Sequence, residues 1–357
     1  MQTIDEAKVM ELLGKVVGDF GAAASIALAA IGDRLGLYKT LSEHGPLNSV
    51  ELAEKAGCAE RYLREWLLNQ ASGGYIEYDA VAERYYMTPE QALALANEES
   101  PAFVAGGFQV ITAAIQSMPR ITELFKTGGG MFWGEHASDL FTGTERFFRP
   151  GYHANLVTSW IPALDGVQAK LERGAHVADV GCGHAASTIL MAQAYPNSRF
   201  IGVDSHAPSI DRARHAAQEA GATANTLFEV AEAQYLPRPN NGTGRYDLIA
   251  YFDCLHDMAD PVGAASSAHD TLADDGTILL VEPMAGERPE DNLNPVGRVY
   301  SGASALICTP NALAGGGSAL GTLASAESLA QVFRSVGFTQ FRQAAETPFN
   351  RVFEIRR

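Results

Sequence analysis

Asp179-Val-Gly181-Cys-Gly183 is the densest chemical signal in the chain. It directly follows the apolar run 176–180, so it reads as the turn between a strand and a helix. Two glycines there let the backbone approach a ligand, and the helix behind them offers unpaired N–H groups. With Ala186 the segment also fits the Gly-x-Gly-x-x-Ala dinucleotide fingerprint. Asp179 separates the two readings. A carboxylate two residues ahead of the first glycine opposes a pyrophosphate but suits an ammonium or sulfonium group. Asp204, 21 residues beyond Gly183, ends a second strand-like run and is placed to grip ribose hydroxyls under either reading. Further on, Phe252-Asp253-Cys-Leu-His256-Asp257 closes the apolar run 246–252. His184, His206 and His215 read as structural. His256 differs, because it lies just past the carboxyl end of a central strand, where open α/β sheets bind ligands. A neutral imidazole there can take a proton from a hydroxyl or thiol near pH 7. Asp253, His256 and Asp257 lie close in sequence, yet close spacing on a loop is not coordination, and no metal is expected. No P-loop, nucleophile elbow or zinc-binding helix motif is present.

These residues need a sheet to hold them. Strand-like runs at 176–180, 199–203, 226–230, 246–252 and 277–281 alternate with helical runs at 188–194, 209–220, 261–272 and 326–336. Such alternation of apolar strands and helices predicts a parallel sheet covered on both faces. Two final runs, 339–343 and 351–355, lack an intervening helix and predict a closing antiparallel hairpin. The first hundred residues are different. Residues 9–37 are helical and apolar on nearly every face from 20 to 31. A short helix over 47–57, with Ser49 as cap and Gly57 as stop, precedes a second over 60–69 and a small hairpin at 75–78 and 84–87. Two helices and a β wing predict a winged helix. Between the halves, residues 101–165 form a bridge, in which Gly128-Gly-Gly-Met-Phe-Trp-Gly134 suits a loop over a small-molecule cleft. The uncharged run 300–321 suits an acceptor-pocket lining for an organic substrate.

Composition excludes several classes. The formal charge is −16, and residues 47–100 carry four basic against ten acidic side chains, which opposes nucleic-acid binding through the winged helix. Four scattered cysteines without a Cys-x-x-Cys pair fit a reducing cytosol. The N-terminus lacks the charge and apolar pattern of a signal peptide. The uncharged stretches 20–32, 100–119 and 299–326 are too short or too rich in Gly, Gln and Pro to span a membrane. The expectation is a cytoplasmic protein with neither a membrane nor a nucleic-acid partner.

At this point the chain resembles the class I S-adenosylmethionine-dependent methyltransferases. Asp179-x-Gly181-x-Gly183 matches their first motif, and Asp204 matches the acid that holds the ribose. Phe228-Glu-Val-Ala-Glu232-Ala233 looks like the segment whose acid–Ala pair meets the adenine edge, with Glu232 in place of the usual Asp. Leu255-His256-Asp257-x-x-Asp260 resembles the catalytic-histidine segment of plant-type small-molecule O-methyltransferases, which also carry a winged-helix-like dimerisation domain. Glu282, in Val281-Glu282-Pro283, matches the carboxylate that orients that histidine.

The resemblance implies an α/β chain: a Rossmann-like class I domain with a mostly parallel seven-stranded sheet and C-terminal hairpin, behind a mainly α winged-helix domain. The expected boundaries are 1–100, 101–165 and 166–357. It implies S-adenosylmethionine held by Asp179, Gly181, Gly183, Asp204, Glu232, Ala233, Phe252 and Asp253. It also implies catalysis by His256 as base, with Glu282 and Asp257 beside it. The acceptor would be a small molecule, with oxygen favoured and nitrogen or sulfur open. A cofactor-sensing transcriptional regulator is the alternative. A homodimer through the N-terminal helices is expected, because residues 20–31 leave no polar face for water.

Overall fold

The computed structural model describes residues 4–357. It divides into two compact units. One runs to Thr112 and includes Thr142–Pro150; the other comprises Ala113–Phe141 and Gly151–Arg357. Residues 101–165 are thus shared between the units.

The first unit opens with the long helix α1 (Glu6–Arg34), whose first N–H groups are capped by the Asp5 carboxylate. Only Ser25, Ala29 and Gly32 of α1 are buried. Gly32 packs flat against Trp66, where a Cβ would meet the indole ring at 2.5 Å, and Trp66 Nε1 donates to the Leu28 carbonyl at 2.9 Å. Helices α2 (Leu37–His44), α3 (Ser49–Ala56) and α4 (Glu60–Ser72) enclose Leu37, Leu41, Leu52, Leu63 and Leu67. The wing is a hairpin of β1 (Glu77–Asp79) and β2 (Arg84–Tyr86). The cap of α3 is Asn48, not Ser49: the Asn48 side chain accepts the Glu51 N–H, and Glu51 returns the contact. Ser49 instead donates to Glu60 at 2.5 Å, pinning α3 to α4.

One expectation changes here. Among the described residues α1 is long and apolar enough, by length and composition, to cross a membrane. The uncharged run alone hides this, because Lys15 and Asp19 interrupt it; they pair on the helix surface at 2.6 Å. Met10, Leu12, Val17 and Phe20 are exposed along the helix.

The second unit holds a seven-stranded sheet in the order β5-β4-β3-β6-β7-β9-β8. Strands β3 (His176–Val180), β4 (Arg199–Asp204), β5 (Thr226–Val230), β6 (Tyr246–Phe252) and β7 (Leu272–Pro283) run parallel. Strands β8 (Gln340–Glu346) and β9 (Asn350–Arg356) form the antiparallel hairpin, with β9 against β7. Strand order reverses between β3 and β6, the kind of switch point at which such sheets open a crevice. Helices Ala186–Ala194, Ala207–Glu219, Pro261–Thr271 and Ala326–Arg334 cover the sheet. Ile249, Tyr251, Ile278, Leu280, Phe333 and Phe353 centre the larger core. The uncharged run after β7 is largely helical, Pro295–Ala303 and Thr309–Ala314, joined by a π-turn at Ser304–Cys308.

Candidate active site

The carboxyl end of β3 turns sharply. Gly181 and Cys182 both donate to the Val203 carbonyl, at 2.8 and 3.0 Å. Gly181 sits at φ +74°, and a Cβ there would meet Cys254 Sγ at 2.8 Å, so both conformation and space require glycine. Gly183, at φ +52°, has open space where its Cβ would be. Asp179 is wholly buried, and one oxygen, Oδ2, accepts Ser187 Oγ at 2.7 Å and Thr188 Oγ1 at 2.6 Å. The other, Oδ1, is buried with no partner in the protein. Burial pushes this carboxyl up to about 6 against the two hydroxyl contacts.

Asp204, at the end of β4, accepts the Gly183 N–H at 3.0 Å on Oδ2 and the His206 N–H at 2.9 Å on Oδ1. Each oxygen keeps a lone pair for a ligand hydroxyl. Burial raises this carboxyl too. The segment after β5 is tied to β4 by Ala231, which donates to the Asp204 carbonyl at 3.0 Å. It carries Glu232, exposed, and Ala233, half-buried, at the same end of the sheet. Phe252 is buried at the end of β6, its ring 5.3 Å from that of Tyr152. Asp253 follows at φ +51°, a left-handed conformation uncommon for a non-glycine residue. Its carboxylate is taken up within the protein, accepting Asn350 Nδ2 at 2.7 Å and Tyr152 Oη at 3.3 Å.

His256 lies on a 3-10 turn, Leu255–Asp257, just past β6. Its Nδ1 is 2.6 Å from Glu282 Oε2, and the other Glu282 oxygen accepts the Leu255 N–H at 3.1 Å. The carboxylate thus fixes both the ring and the turn that carries it. The Cys308 thiol lies beside the same imidazole. Burial pulls the ring's pKa down, but Glu282 and Cys308 outweigh it and hold His256 well above the usual histidine range. Asp257 points elsewhere: its Oδ2 accepts Trp133 Nε1 at 2.7 Å, and its carbonyl accepts Asn311 Nδ2 at 2.9 Å. Burial pushes the Asp257 carboxyl up to about 6.

Sequence reasoning missed several of these partners. The glycine-rich loop 128–134 is strapped down by Met131 donating to the Pro310 carbonyl and Trp133 N–H to Asn311 Oδ1, at 2.9 and 3.1 Å. Gly130 packs so closely that a Cβ would lie 1.9 Å from the Ala314 nitrogen. Trp133 packs edge-on against Phe141, which stacks on His206 at 4.3 Å. The glycine–aromatic run and the uncharged run were the available signals, but neither names its partner. Among the described residues no group of His, Cys, Asp or Glu is arranged to hold a metal.

Asp179, Asp204, Asp253, Asp257 and Glu282 therefore gather at the carboxyl end of the sheet, where Glu282 holds the His256 imidazole. The residues expected to hold S-adenosylmethionine fit a ligand with a cationic end. Asp179 Oδ1 offers an unpaired buried acceptor, Gly183 leaves room, and Asp204 keeps lone pairs for hydroxyls.

Comparison with known proteins agrees with this architecture. Residues 22–97 match the Rv2258c-like winged HTH domain family, and residues 171–313 match the methyltransferase domain family. No curated protein sequence matches the chain. Among solved structures, a provisional O-methyltransferase of Nostoc punctiforme superposes with a TM-score of 0.73 at 20% identity, covering 100% of both chains. Human N-acetylserotonin methyltransferase, in complex with S-adenosylmethionine, gives 0.70 at 18% identity over 100% of this chain and 99% of that one. The mitomycin 7-O-methyltransferase MmcR gives 0.65 at 16%, covering 99% and 100%. At these identities the likeness is one of fold. Residues 171–313, with the Asp179 turn and a Rossmann-like sheet whose last strand is reversed, thus carry a methyltransferase domain, and residues 22–97 before them a winged HTH domain.

Proposed function

We propose that the protein transfers the methyl group of S-adenosylmethionine to a small organic acceptor, with oxygen the favoured atom and His256 the general base. The observation that carries this reading is the 2.6 Å contact between His256 Nδ1 and Glu282 at the crevice end of the sheet. S-adenosylmethionine supplies an activated methyl group on a positively charged sulfonium. Asp179, with Oδ1 unpaired, takes the cationic amino-acid end; Gly181 and Gly183 give it backbone room. Asp204 takes the ribose, and Glu232 with Ala233 borders the adenine. Phe252 and Asp253 shape the floor between the cofactor and the base. Glu282 holds the His256 Nδ1 proton, leaving Nε2 to accept the acceptor's proton as the methyl group arrives. Asp257, held by Trp133, steadies the turn. A site this acidic prefers a cation to the neutral product, which favours product release.

Calorimetric titration tests the cofactor: S-adenosylmethionine binds and NADH does not. The opposite result would sink the reading. The same reading places the chain in the cytoplasm as a homodimer joined through α1, whose exposed Met10, Leu12, Val17 and Phe20 are the kind of apolar surface soluble monomers rarely leave open. Light scattering at micromolar concentration should return the dimer mass; a stable monomer refutes it. DNA recognition is disfavoured by more than net charge. Arg61, Arg64 and Arg84 of the winged helix are each in an ion pair, with Glu65, Glu60 and Glu51.

A further inference from the structure

Glu282 has a second neighbour that the mechanism above does not use. Arg351 of β9 is its cross-strand partner on β7, and residues so paired present their side chains on the same face of the sheet. A guanidinium here is unusual, because the face is the main core: Arg351 is only 3% exposed, and its neighbour along the strand is Phe353, whose ring lies 5.5 Å from the guanidinium carbon. Nε donates to the Pro283 carbonyl at 3.0 Å and Nη2 to the Ala324 carbonyl at 2.7 Å, while Nη1 has no partner. The bonds therefore go to backbone oxygens and not to a carboxylate. A buried cation satisfied in this way costs stability, so its presence beside the site calls for a reason.

Both bonded carbonyls belong to segments that carry the dyad. Pro283 follows Glu282 directly. Ala324 donates to the Gly321 carbonyl at 3.1 Å, and Gly321 in turn donates to the His256 carbonyl at 3.1 Å. Arg351 thus ties the backbone behind Glu282 to the loop that buttresses His256. The groups facing the imidazole are Glu282 from β7, Cys308 from the π-turn, and Asp253 and Asp257 from its own segment; those facing Arg351 are Glu282 and the exposed Glu287. Apart from the imidazole, Arg351 is the cation in that set.

We infer that Arg351 is a positioning residue for the base: a buried cation on the far side of Glu282 that weakens the hold of His256 on its proton while clamping the two loops that carry the dyad. Without it, an imidazole already held in its protonated form by Glu282 would keep its proton to a still higher pH and serve less well as a base at any given pH. The inference rests on His256 as base and extends that reading to a residue outside the crevice.

The test needs no acceptor. Protein labelled with ¹⁵N-histidine is titrated by NMR, with the His256 ring signals assigned from their absence in H256A. R351Q keeps a donor for the carbonyls and removes the charge; R351K keeps the charge. The His256 midpoint is expected to rise by about one pH unit in R351Q, the size of a unit charge several ångströms away at a protein-like dielectric, and to stay within about 0.3 units in R351K. A midpoint that does not move in R351Q, or that moves equally in both variants, overturns the inference. So does loss of the folded state in both, which would assign Arg351 to packing alone. Failure of the base reading would look different: the Arg351 shifts would stand, but H256A would retain methyl transfer to acceptors that the wild type methylates.

Discussion

Replacing Asp179 by Asn should move cofactor affinity and stability in opposite directions. The side chain is wholly buried, and its carboxyl is raised from 3.8 to about 6. A carboxyl raised on folding contributes most favourably below its unfolded value, and that contribution is lost as pH rises through the folded value. Here the window runs from about pH 4 to about pH 6, and above it the ionised group costs the cofactor-free protein about 3 kcal/mol. Asn can still accept from Ser187 and Thr188 through its carbonyl, so D179N removes the charge at little cost in packing. The cofactor-free variant should therefore melt a few degrees higher than wild type at pH 7.5, with the gain vanishing near pH 4. Binding should go the other way. The amide would put a donor where Oδ1 now offers an unpaired acceptor, and the loss of a buried charge-assisted contact is worth about 2–4 kcal/mol, or about 30- to 1,000-fold in Kd. Differential scanning fluorimetry and calorimetric titration with S-adenosylmethionine read the two effects on the same samples. A variant that binds with unchanged affinity, or that melts lower at pH 7.5, refutes the assignment of Oδ1 to the cofactor's cationic end.

Three further outcomes are expected. H256A should bind S-adenosylmethionine within about threefold of wild type yet lose about 100-fold or more in turnover, since general-base catalysis is worth that much; unchanged turnover across the pH range would remove His256 as base. Because Glu282 and Cys308 hold the ring's pKa well above the histidine range, turnover by wild type should rise with pH on the alkaline side of neutrality as the imidazole loses its proton; a rate already flat from pH 6 contradicts this. W133F deletes the 2.7 Å bond to the buried Asp257 carboxylate and should cost about 1–3 kcal/mol in urea denaturation; full stability would mean the indole N–H contributes nothing.

Local features of the chain could be read without coordinates. Asp179-x-Gly181-x-Gly183 announces its turn because glycine at positive φ and a strand-end carboxylate are properties of adjacent residues. The strands around it are apolar on both faces, and β3, β5 and β6 begin and end where the apolar runs do. The pairing of His256 with Glu282 was suggested by resemblance, not by spacing, since 26 residues and a full helix separate them. What stayed hidden depends on distant partners. Nothing in Gly-Met-Phe-Trp133-Gly says that the indole meets a carboxylate 124 positions away. An arginine in a short strand near the C-terminus reads as an edge charge, yet Arg351 is buried because β9 is an inner strand between β7 and β8. The helices Pro295–Ala303 and Thr309–Ala314 escaped notice because Gly, Ser and Ala mask periodicity there and a π-turn interrupts it.

Methyl transfer itself tests the central claim most directly. Wild type and H256A are incubated with S-adenosylmethionine labelled in the methyl group and with phenols, amines, thiols and carboxylates in parallel, and label in the organic product is counted. The account predicts transfer by wild type to a hydroxyl-bearing acceptor and its near-complete loss in H256A. Transfer to no acceptor class by a protein that binds the cofactor, or equal transfer by both proteins, would contradict it.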